Sequence, residues 1–597
     1  MQWILGKIFK ALKFVISHRY RLMILTNLRQ NAFSRHPYNF LIYKKWIQQN
    51  EPDRKELSRQ RSAVFGYMPK ISIVVPLYNT QPKYLKALFY SILNQTYENW
   101  EVCLADGSNS ECRRREQLIQ KIKNDSRFKY KQVVNKGISY NTNQAILLSE
   151  GEYISFLDHD DVLAPFSLYE FTKAINENPE TDIFYSDEDH LSIKNRRILP
   201  YFKPDFSKEF LRSTNYICHQ VVVRKSIGDR IGWLREGMDG AQDHDFLLRV
   251  TDLTNHIVHI PKILYHWREI PGSAAYDMKS KMYAFEAGKK AIQDHLKRNN
   301  IEGLVTDGHG LGFYRIFYRL NNRPLVSIII PNKDNWIVLE KCINSILNTS
   351  TYHNYEIIII ENSSTDSKTF DYYEKIESDS KIRVLRWEKP FNYAKINNYG
   401  AKHANGEFFL FLNNDIQVIN PDWVERMIEH FAKPDVGVVG AKLYFPNNTI
   451  EHGGFFLGIR GFGSHSHIGF PRNSFGYFGR LITVQNYTAV TGACLLTKRD
   501  IFEEVKGFDE QFEYNYNDVD YCLKIKEKGY CTIWTPYTEL YHHECQTRKE
   551  MCQEQFDRFL IAERDKFRKK WPSISETVDP YYNPNLHNER DDFSIKI

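Results

Sequence analysis

Several features of common protein classes are missing from this sequence of 597 residues. Its nine cysteines are scattered without a CxxC pair, which is typical of reduced thiols in a cytosolic protein and not of a disulfide framework. No apolar run approaches the roughly 18 to 20 residues that a membrane span needs. The net charge of +7 is small for this length, and the basic residues form no long block, so nucleic acid is not indicated as a partner.

The sequence does contain enough apolar material for large cores. It is 42% hydrophobic and 14% aromatic, which excludes disorder as the state of most of the chain. Its length suggests two to four domains. Within the first 20 residues, apolar side chains fall on one arc and Lys7, Lys10 and Lys13 on the opposite arc, the pattern of a basic amphipathic helix. Such a helix lies on an anionic membrane surface or packs on the protein's own core, and the sequence leaves both open.

The stretch EGEYISFLDHDD, residues 150–161, joins a short apolar run to three carboxylates. The apolar run is typical of a buried strand in a parallel sheet. Asp158, Asp160 and Asp161 follow its end, where a hard cation such as Mg²⁺ or Mn²⁺ finds oxygen ligands. A solvated acidic turn is the alternative.

A second copy of this stretch favours the functional interpretation. Residues 405–416, NGEFFLFLNNDI, repeat the pattern 255 residues later, and the same distance separates Asp160 from Asp415 and Pro76 from Pro331. A period this long is not that of a solenoid and predicts two tandem domains of one fold. Strands and helical segments alternate within each copy, which predicts α/β domains with mostly parallel sheets and helices on both faces.

An ordered set of motifs occurs twice and resembles a known family. IVVPLYN, LDHDD, AQDHD and LYHWR, followed by IIIPNKD, FLNNDI, YNDVD and LYHHE, resemble family-2 glycosyltransferases of the GT-A fold. The resemblance covers about residues 70–550 and is closest to tandem two-domain enzymes that build bacterial surface polysaccharides, rhamnosyltransferase-like proteins among them. It implies the following organisation: a helical region at 1–69, Rossmann-like GT-A domains at 70–270 and 323–549, a helical linker at 271–322, and a C-terminal helix and tail at 550–597. A sugar nucleotidyltransferase is disfavoured because its N-terminal glycine-rich phosphate loop is absent.

The resemblance implies a donor site at the ends of the strands. The implied donor-binding residues of the two domains are Pro76, Tyr78, Asp106, Asp158, Arg268, Pro331, Glu361, Asn413 and Arg548. Asp106 and Glu361 would accept a hydrogen bond from a pyrimidine base, which does not separate UDP from dTDP donors. Capping of the next helix is the alternative role for these two acids. The guanidinium groups suit phosphate oxygens.

The implied metal ligands are Asp160, His266, Asp415 and His542. Mg²⁺ or Mn²⁺ held there would bridge the donor diphosphate and stabilise the charge of the leaving group. His543 competes with His542 for this role. Because only Asp415 remains acidic in the second domain, with Asn413 and Asn414 ahead of it, we expect a weaker or altered metal preference there, or a domain kept only for binding.

Asp243 and Asp518 hold matching places, each 11 residues after a glycine. The resemblance makes them the catalytic bases that take the proton of the acceptor hydroxyl. Asp245 and Asp520 follow two residues later and stay open as alternatives, as does helix capping alone.

The second domain is 20 residues longer between Asp415 and Gly507 than the first is between Asp160 and Gly232. The extra length lies around residues 450–480. This segment is rich in glycine and aromatic residues, which we interpret as an acceptor or lid loop, or as a mobile loop of no specific role. His452, His465 and His467 lie in it, but no closed set of four zinc ligands is evident.

These expectations describe a bifunctional, inverting, metal-dependent glycosyltransferase that extends a bacterial O-antigen or capsule. The expected donors are dTDP-rhamnose or UDP-sugars, and the expected acceptor is a lipid-linked glycan. The expected location is cytoplasmic, with peripheral contact to the inner membrane. The alternatives are one active domain paired with an acceptor-binding domain, and a non-catalytic glycan-binding or assembly scaffold.

Overall fold

The computed structural model describes residues 40–270, 282–320, 322–543, 553–575 and 578–597. These residues form two compact units: one reaches Ile316 and includes Tyr582–Leu586 and Ile595–Ile597, and the other comprises Phe317–Tyr581 and His587–Ser594. The predicted amphipathic helix over residues 1–20 and the predicted donor-binding Arg548 lie outside the described residues.

A nine-stranded mixed sheet forms the centre of the first unit, in the order β3-β2-β1-β4-β8-β6-β9-β5, with β7 paired to β6. Its strands are β1 (Ile71–Leu77), β2 (Trp100–Asp106), β3 (Phe128–Gln132), β4 (Tyr153–Phe156), β5 (Val162–Leu163), β6 (Ile183–Leu191), β7 (Arg197–Tyr201), β8 (Val221–Arg224) and β9 (Ile257–Arg268). Strands β1 to β4 are parallel to their neighbours, and β8 joins antiparallel to both β4 and β6.

Ten helices belong to the described part of this unit. They are α1 (Phe40–Asn50), α2 (Arg54–Arg61), α3 (Pro82–Leu93), α4 (Arg113–Ile122), α5 (Ile138–Ile146), α6 (Ser167–Glu177), α7 (Lys208–Ser213), α8 (Lys225–Ile231), α9 (Gln242–Val250) and α10 (Met282–Arg298). All seven residues of β1 are buried, as expected of a strand covered on both faces. Helix α3 buries Leu85, Leu88, Phe89 and Ile92, the i, i+3, i+4, i+7 stripe that packs on such a sheet. After α10, β10 (Gly303–Asp307) and β11 (Tyr314–Tyr318) form a two-stranded sheet.

The second unit has the same plan on a ten-stranded sheet, in the order β14-β13-β12-β15-β22-β17-β23-β16, with β18 paired to β17 and β21 to β23. Its strands are β12 (Val326–Asn332), β13 (Tyr355–Glu361), β14 (Ile382–Arg386), β15 (Phe408–Leu412), β16 (Ile416–Val418), β17 (Val436–Tyr444), β18 (Ile450–His452), β19 (Phe455–Leu457), β20 (Gly463–His465), β21 (Gln485–Asn486), β22 (Cys494–Lys498) and β23 (Cys531–His542). Its α-helices are α11 (Trp336–Thr349), α12 (Ser367–Ile376), α13 (Tyr393–His403), α14 (Trp423–Ile428), α15 (Arg499–Glu504), α16 (Asn517–Glu527) and α17 (Gln553–Lys570).

The 255-residue repeat is a repeat of strand register. Ile71 pairs with Trp100 and Tyr153 in the first unit, and Val326 pairs with Tyr355 and Phe408 in the second. Each equivalent pair of positions is 255 residues apart. The predicted fold class, two tandem α/β domains with largely parallel sheets and helices at the ends of the chain, is confirmed.

A shared polar contact fixes the entry to the acidic strand in each unit. Ser72 Oγ donates to Glu101 Oε1 at 2.6 Å and accepts from the N–H of Gly151 at 2.9 Å. Ser327 Oγ makes the equivalent bonds to Glu356 and Gly406, at 2.6 and 2.8 Å. A Cβ on Gly151 would lie 2.5 Å from Ser72 Oγ, so glycine is required where the two strands approach.

The extra segment of the second domain is packed, not loose. Strands β19 and β20 form a hairpin, and the segment buries Phe456, Tyr477 and His467. His467 Nε2 accepts the N–H of Tyr477 at 3.0 Å, and Phe593 stacks on the Tyr477 ring. A role as an acceptor or lid loop stays a prediction, but its described residues belong to the folded core of the second unit.

Two general expectations concern the membrane and the thiols. Among the residues that the structure describes, no helix combines the length and the apolar character needed to cross a membrane. No disulfide is formed by Cys103, Cys112, Cys218, Cys342, Cys494 or Cys522, which lie in the described ranges.

Candidate active site

The first domain gathers three of the predicted site residues around one pocket. Pro76 of β1, Asp158 after β4 and Asp243 of α9 all line a pocket with about 590 Å³ of empty space. Most of the other lining side chains are apolar, and they come from the carboxyl ends of the strands and from α5 and α9. A carboxylate facing a largely apolar pocket is a common arrangement at an active site. Tyr78, also predicted at the donor, lies just past β1 and is 42% exposed.

The acidic loop after β4 holds three carboxyl groups in different environments. Asp158 is partly exposed, and its Oδ2 lies 4.0 Å from Nε2 of His219. Burial, together with the nearby charge of Asp158, raises the pKa of Asp160. Asp161 is fully buried, where it accepts from the Tyr265 hydroxyl at 2.6 Å and from the N–H of Arg268 at 2.7 Å. Asp161 therefore holds the loop in place, and Asp158 lines the pocket.

Arg268, a predicted donor-binding residue, holds this loop by its main chain. Its Nε donates to the carbonyl oxygen of Asp160 at 2.7 Å, and Nη1 donates to Oδ1 of Asn195 at 2.5 Å. The guanidinium also lies over the ring of Tyr84, with 5.2 Å from Cζ to the ring centroid. Arg268 therefore holds the main chain of Asp160 in place.

His266, the predicted metal ligand on β9, is buried and has a carboxylate partner. Its Nδ1 lies 2.5 Å from Oδ1 of Asp189 on β6. Asp189 also accepts from Nε of Arg197 and from the Tyr43 hydroxyl. Burial alone would raise the pKa of Asp189, but the charges of Arg197 and His266 outweigh it and lower the pKa to about 2. Sequence reasoning missed Asp189, although the acidic run DEDH inside a predicted strand was a signal for it.

The two neighbouring acids of α9 have different partners. Asp243 Oδ2 accepts from Nδ2 of Asn215 at 2.8 Å, and the carboxylate lines the pocket. Asp245 is fully buried between two cations: Arg235 bonds both of its oxygens, and Arg249 Nε donates to Oδ2 at 2.8 Å. Only Asp243 of this pair lines the pocket, which decides between the two candidates on access.

The acids that end the second strand are held by their own loops. Asp106 Oδ1 accepts the N–H of Ser108 at 2.9 Å, and Oδ2 accepts the Tyr130 hydroxyl at 3.0 Å. Glu361 accepts the N–H of Ser364. Both side chains lie at the carboxyl ends of their strands, and each accepts a hydrogen bond from the loop that follows.

In the second domain a histidine joins two carboxylates. His542 Nε2 lies 3.0 Å from Oδ1 of Asp415, and Nδ1 lies 2.7 Å from Oε1 of Glu451. Burial would lower the pKa of His542, but the bonds to the two acids raise it well above its usual value. Asn413 Nδ2 is 3.4 Å from the same Nε2. Glu451, on β18 of the extra segment, was missed because no equivalent exists at that position of the first domain.

The neighbouring histidine takes a different direction. His543 Nε2 lies 2.9 Å from Oε1 of Gln417, and the residue lines a second pocket together with Lys341, Asn414 and Asp415. Burial lowers the pKa of His543. The geometry thus assigns His542 to the contact with Asp415, and it places Lys341, which sequence reasoning also missed, at the second pocket. Pro331, predicted at the donor, lies within β12 opposite Ile360.

The base candidates of the second domain repeat the arrangement of the first. Asp518 Oδ2 accepts the N–H of Gly492 at 2.8 Å, and burial raises the pKa of its carboxyl group. Asp520 is buried against Lys570 Nζ at 2.6 Å and Trp571 Nε1 at 2.8 Å. As in the first domain, the second acid of the pair is committed to packing and the first is the candidate base.

The residues present fit a divalent cation that is shared with a substrate. Within the described ranges, no group of three or more His, Cys, Asp or Glu side chains is arranged to hold a metal alone. Mg²⁺ is commonly held by one or two carboxylates, with substrate phosphates completing its shell. Each domain offers an aspartate and a histidine whose Nδ1 is bound by a carboxylate, the usual support of a metal-binding histidine.

Comparisons with known proteins identify the family of this chain. The family model described as "Glycosyl transferase family 2" matches residues 72–232 and 327–506, more than half of the chain. An uncharacterized protein of Sinorhizobium fredii, y4gI, is 40% identical over 90% of this chain and 61% of its own length. The O-antigen biosynthesis protein RfbC of Myxococcus xanthus is 34% identical over 92% of this chain and 43% of its own length.

This chain therefore spans less than two thirds of the length of both relatives. Among solved structures, residues 1–349 of TarS from S. aureus match 38% of this chain and 65% of that chain, with 21% identity and a TM-score of 0.31.

Proposed function

The chain belongs to glycosyl transferase family 2, and we propose that each of its two domains transfers one sugar from a nucleotide-sugar donor to a growing bacterial surface glycan. The observation that carries the proposal is the pocket of the first domain. It places Asp158 and Asp243 on one cavity at the carboxyl ends of the strands. The second domain repeats the strand register. Asp415 there corresponds to Asp160, and Asp518 is the second residue of its helix, as Asp243 is in the first domain.

Asp243 and Asp518 are the proposed catalytic bases. Each takes the proton of an acceptor hydroxyl as that oxygen bonds to the anomeric carbon and the bond from that carbon to the diphosphate breaks. Asn215 holds one oxygen of Asp243, and the N–H of Gly492 holds one oxygen of Asp518, so each carboxylate keeps its orientation. A single displacement by one base inverts the anomeric configuration.

Mg²⁺ or Mn²⁺ is the proposed cofactor. Asp160 and His266 would hold it in the first domain, and Asp415 and His542 in the second. A bound cation would neutralise the diphosphate as it leaves. The chain's own contribution is orientation: Asp189 and Glu451 fix the imidazole rings, and Arg268 fixes the main chain of Asp160. Because Asn413 stands in the place of Asp158, the second site carries less negative charge, and we propose that it binds the metal more weakly.

The proposed donors are pyrimidine nucleotide sugars, dTDP-rhamnose or UDP-sugars, with Asp106 and Glu361 near the base. The proposed acceptor is a lipid-linked glycan, and the proposed location is the cytoplasmic face of the inner membrane, reached through the amphipathic segment 1–20. The name of the Myxococcus relative, an O-antigen biosynthesis protein, supports a surface polysaccharide as product. Nucleic acid is not a proposed partner.

A second candidate function is one active domain paired with an acceptor-binding domain. The observation that favours it is the difference between the two pockets. Asp158 and Asp243 share the first pocket, whereas the second is lined by Asp415 without Asp518.

A donor screen with single-site variants tests the proposal. The full chain is incubated with UDP- and dTDP-sugars and a lipid-linked acceptor, and products are weighed by mass spectrometry. We expect Asp160→Asn and Asp415→Asn each to remove one sugar addition, and a mixture of the two variant proteins to restore the doubly extended product. Asp500→Asn, an exposed change in α15, is the matched control. Unchanged products with Asp415→Asn would select the second candidate.

A further inference from the structure

The C-terminal helix α17 lies along the loop that leads to Asp518. We call residues 509–516 the base loop. They lie between α15 and α16 and lead directly into α16, which carries the proposed base. Lys570 Nζ binds Asp509 at 2.7 Å, and Lys566 Nζ donates to the carbonyl oxygen of Gln511 at 3.1 Å. Phe567 packs on the rings of Phe512 and Tyr516. The described part of α17 thus contacts the base loop along most of its length.

The main contact is one buried carboxylate. Glu563 of α17 is 2% exposed, and its Oε1 accepts the backbone N–H groups of Glu513 and Tyr514, the latter at 2.9 Å. Its Oε2 accepts the backbone N–H of Asn515 at 2.8 Å and the side-chain amide of the same residue at 3.0 Å. Four donors from three successive residues converge on one anion, an arrangement that fixes the path of the backbone.

This fixed path ends at the proposed base. Tyr516 follows in the left-handed region, with φ of 65°, and α16 begins at Asn517. Asp518 is therefore three residues beyond the last amide that Glu563 holds. On the other flank, Lys570 and Trp571 hold Asp520 at 2.6 and 2.8 Å. The start of α16, which carries Asp518, is therefore held on both flanks, by Glu563 and Lys570 of α17 and by Trp571, which follows α17.

We propose that Glu563 is a positioning residue for the second transfer: it holds the base loop in the conformation that aims Asp518 at the acceptor. The proposal rests on the role of Asp518 stated above and adds a residue beyond the family match, which ends at residue 506. It has a parallel in the first domain, where Asp294 of α10 binds Arg235 at 3.0 Å and Arg235 binds Asp245. In both domains the helix after the last strand supports the start of the base helix.

Hydrogen exchange tests, without any substrate, whether Glu563 holds the backbone of residues 513–515. In Glu563→Gln the side chain keeps its shape, but one of its oxygens becomes an NH₂ group, which faces donors and cannot accept from them. We expect faster exchange in peptides that cover residues 513–515 of the full-length protein. Asp565→Asn removes the same charge from an exposed position of the same helix and is expected to leave these peptides unchanged. Equal protection in Glu563→Gln and the unchanged protein would overturn the proposal.

Kinetics then separate positioning from folding. With the donor and acceptor that the screen assigns to the second domain, Glu563→Gln is expected to lower kcat of that transfer about tenfold or more, since small misplacements of a reacting group cost rate. The KM for the donor and the rate of the first transfer are expected to stay unchanged. Glu563→Asp keeps the charge on a shorter side chain, so its kcat for the second transfer should lie between those of Glu563→Gln and the unchanged protein.

Two outcomes overturn the inference, and they differ from failure of the proposed function. If exchange accelerates while kcat stays unchanged, Glu563 is structural only. If both transfers lose rate in proportion, the variant is partly unfolded and the residue has no specific link to Asp518. Retention of the second transfer in Asp518→Asn would instead show that the proposed base is wrong, and with it the basis of the inference.

Discussion

Nε2 of His542 lies 3.0 Å from Oδ1 of Asp415, and the opposite ring nitrogen is bound by Glu451 at 2.7 Å. His266 of the first domain has the same support, with Asp189 on its Nδ1 at 2.5 Å. A carboxylate on Nδ1 fixes the orientation of the ring and the position of its proton. The two domains obtain this carboxylate from different places, β6 in one and the extra segment in the other.

The first prediction concerns Glu451. Glu451→Gln removes the charge that fixes the His542 ring, so the affinity of the second site for Mn²⁺ should fall about tenfold or more, as for other second-layer carboxylates. Titration calorimetry on the Asp160→Asn background isolates the second site, and nucleoside diphosphate is present to complete the metal shell. Glu503→Gln, an exposed change in α15, is the control. Equal Mn²⁺ affinity in the two variants would contradict the supporting role.

The second prediction separates Asp243 from Asp245. Asp243→Asn should abolish most of the first transfer with little change in stability, because the carboxylate lines a pocket and an asparagine keeps its shape. Asp245→Asn should instead lower the free energy of unfolding by about 3 kcal/mol, because it leaves Arg235 and Arg249 without their buried partner. Urea unfolding and the rate of the first transfer measure the two effects. Loss of stability in Asp243→Asn with activity retained would reverse the assignment.

The repeat made the fold accessible from sequence. The 255-residue spacing predicted two domains of one fold, and Ile71 and Val326 pair with partners at that same spacing. Apolar runs such as β1 are unambiguous because both faces are buried. The later strands were predicted more loosely, since β8 and β6 pair in the antiparallel sense and join residues far apart in sequence.

The candidate site could be predicted only in part, because its supporting residues belong to no motif with a recognisable spacing in the sequence. Asp158, Asp160 and Asp243 follow motifs, but Asp189 reaches its histidine from the paired strand β6, and Glu451 reaches its histidine from β18, which pairs with β17. Arg268 was predicted to bind phosphate from its chemistry, whereas its nearest partner is the main chain of Asp160. Such contacts depend on strand pairing, which motif spacing does not report.

The third prediction concerns the N-terminal segment. Deletion of residues 1–20 should reduce flotation of the protein with vesicles that contain anionic lipid, because Lys7, Lys10 and Lys13 lie opposite the apolar arc. Vesicles of zwitterionic lipid alone are the control for the charge contribution. If the shortened and full-length proteins float equally with anionic vesicles, the segment is not the anchor.

The fourth prediction is a dependence of stability on pH, carried by the equivalent residues Glu101 and Glu356. Glu101 accepts from Ser72 at 2.6 Å and pairs with Lys129 at 2.9 Å, and Glu356 has Ser327 and Arg383 at 2.6 and 2.8 Å. Burial by itself would raise the pKa of both carboxyl groups. The serine, backbone and cationic partners outweigh burial and hold both pKa values below the usual range.

A carboxyl group whose pKa is lower in the folded protein than in the unfolded chain stabilises the fold above the unfolded value, about 4.3 for glutamate. That contribution is lost as the pH falls through the lower, folded value. Glu101→Gln and Glu356→Gln should therefore each lower the free energy of unfolding by about 1–3 kcal/mol near neutral pH. The difference from the unchanged protein should narrow as the pH falls from about 4 through the lower, folded value, below which both forms carry a neutral side chain. Urea titrations across this range measure it, with the exposed Glu98→Gln as control. A deficit that stays the same at low pH would show that the lost contribution is packing and not charge.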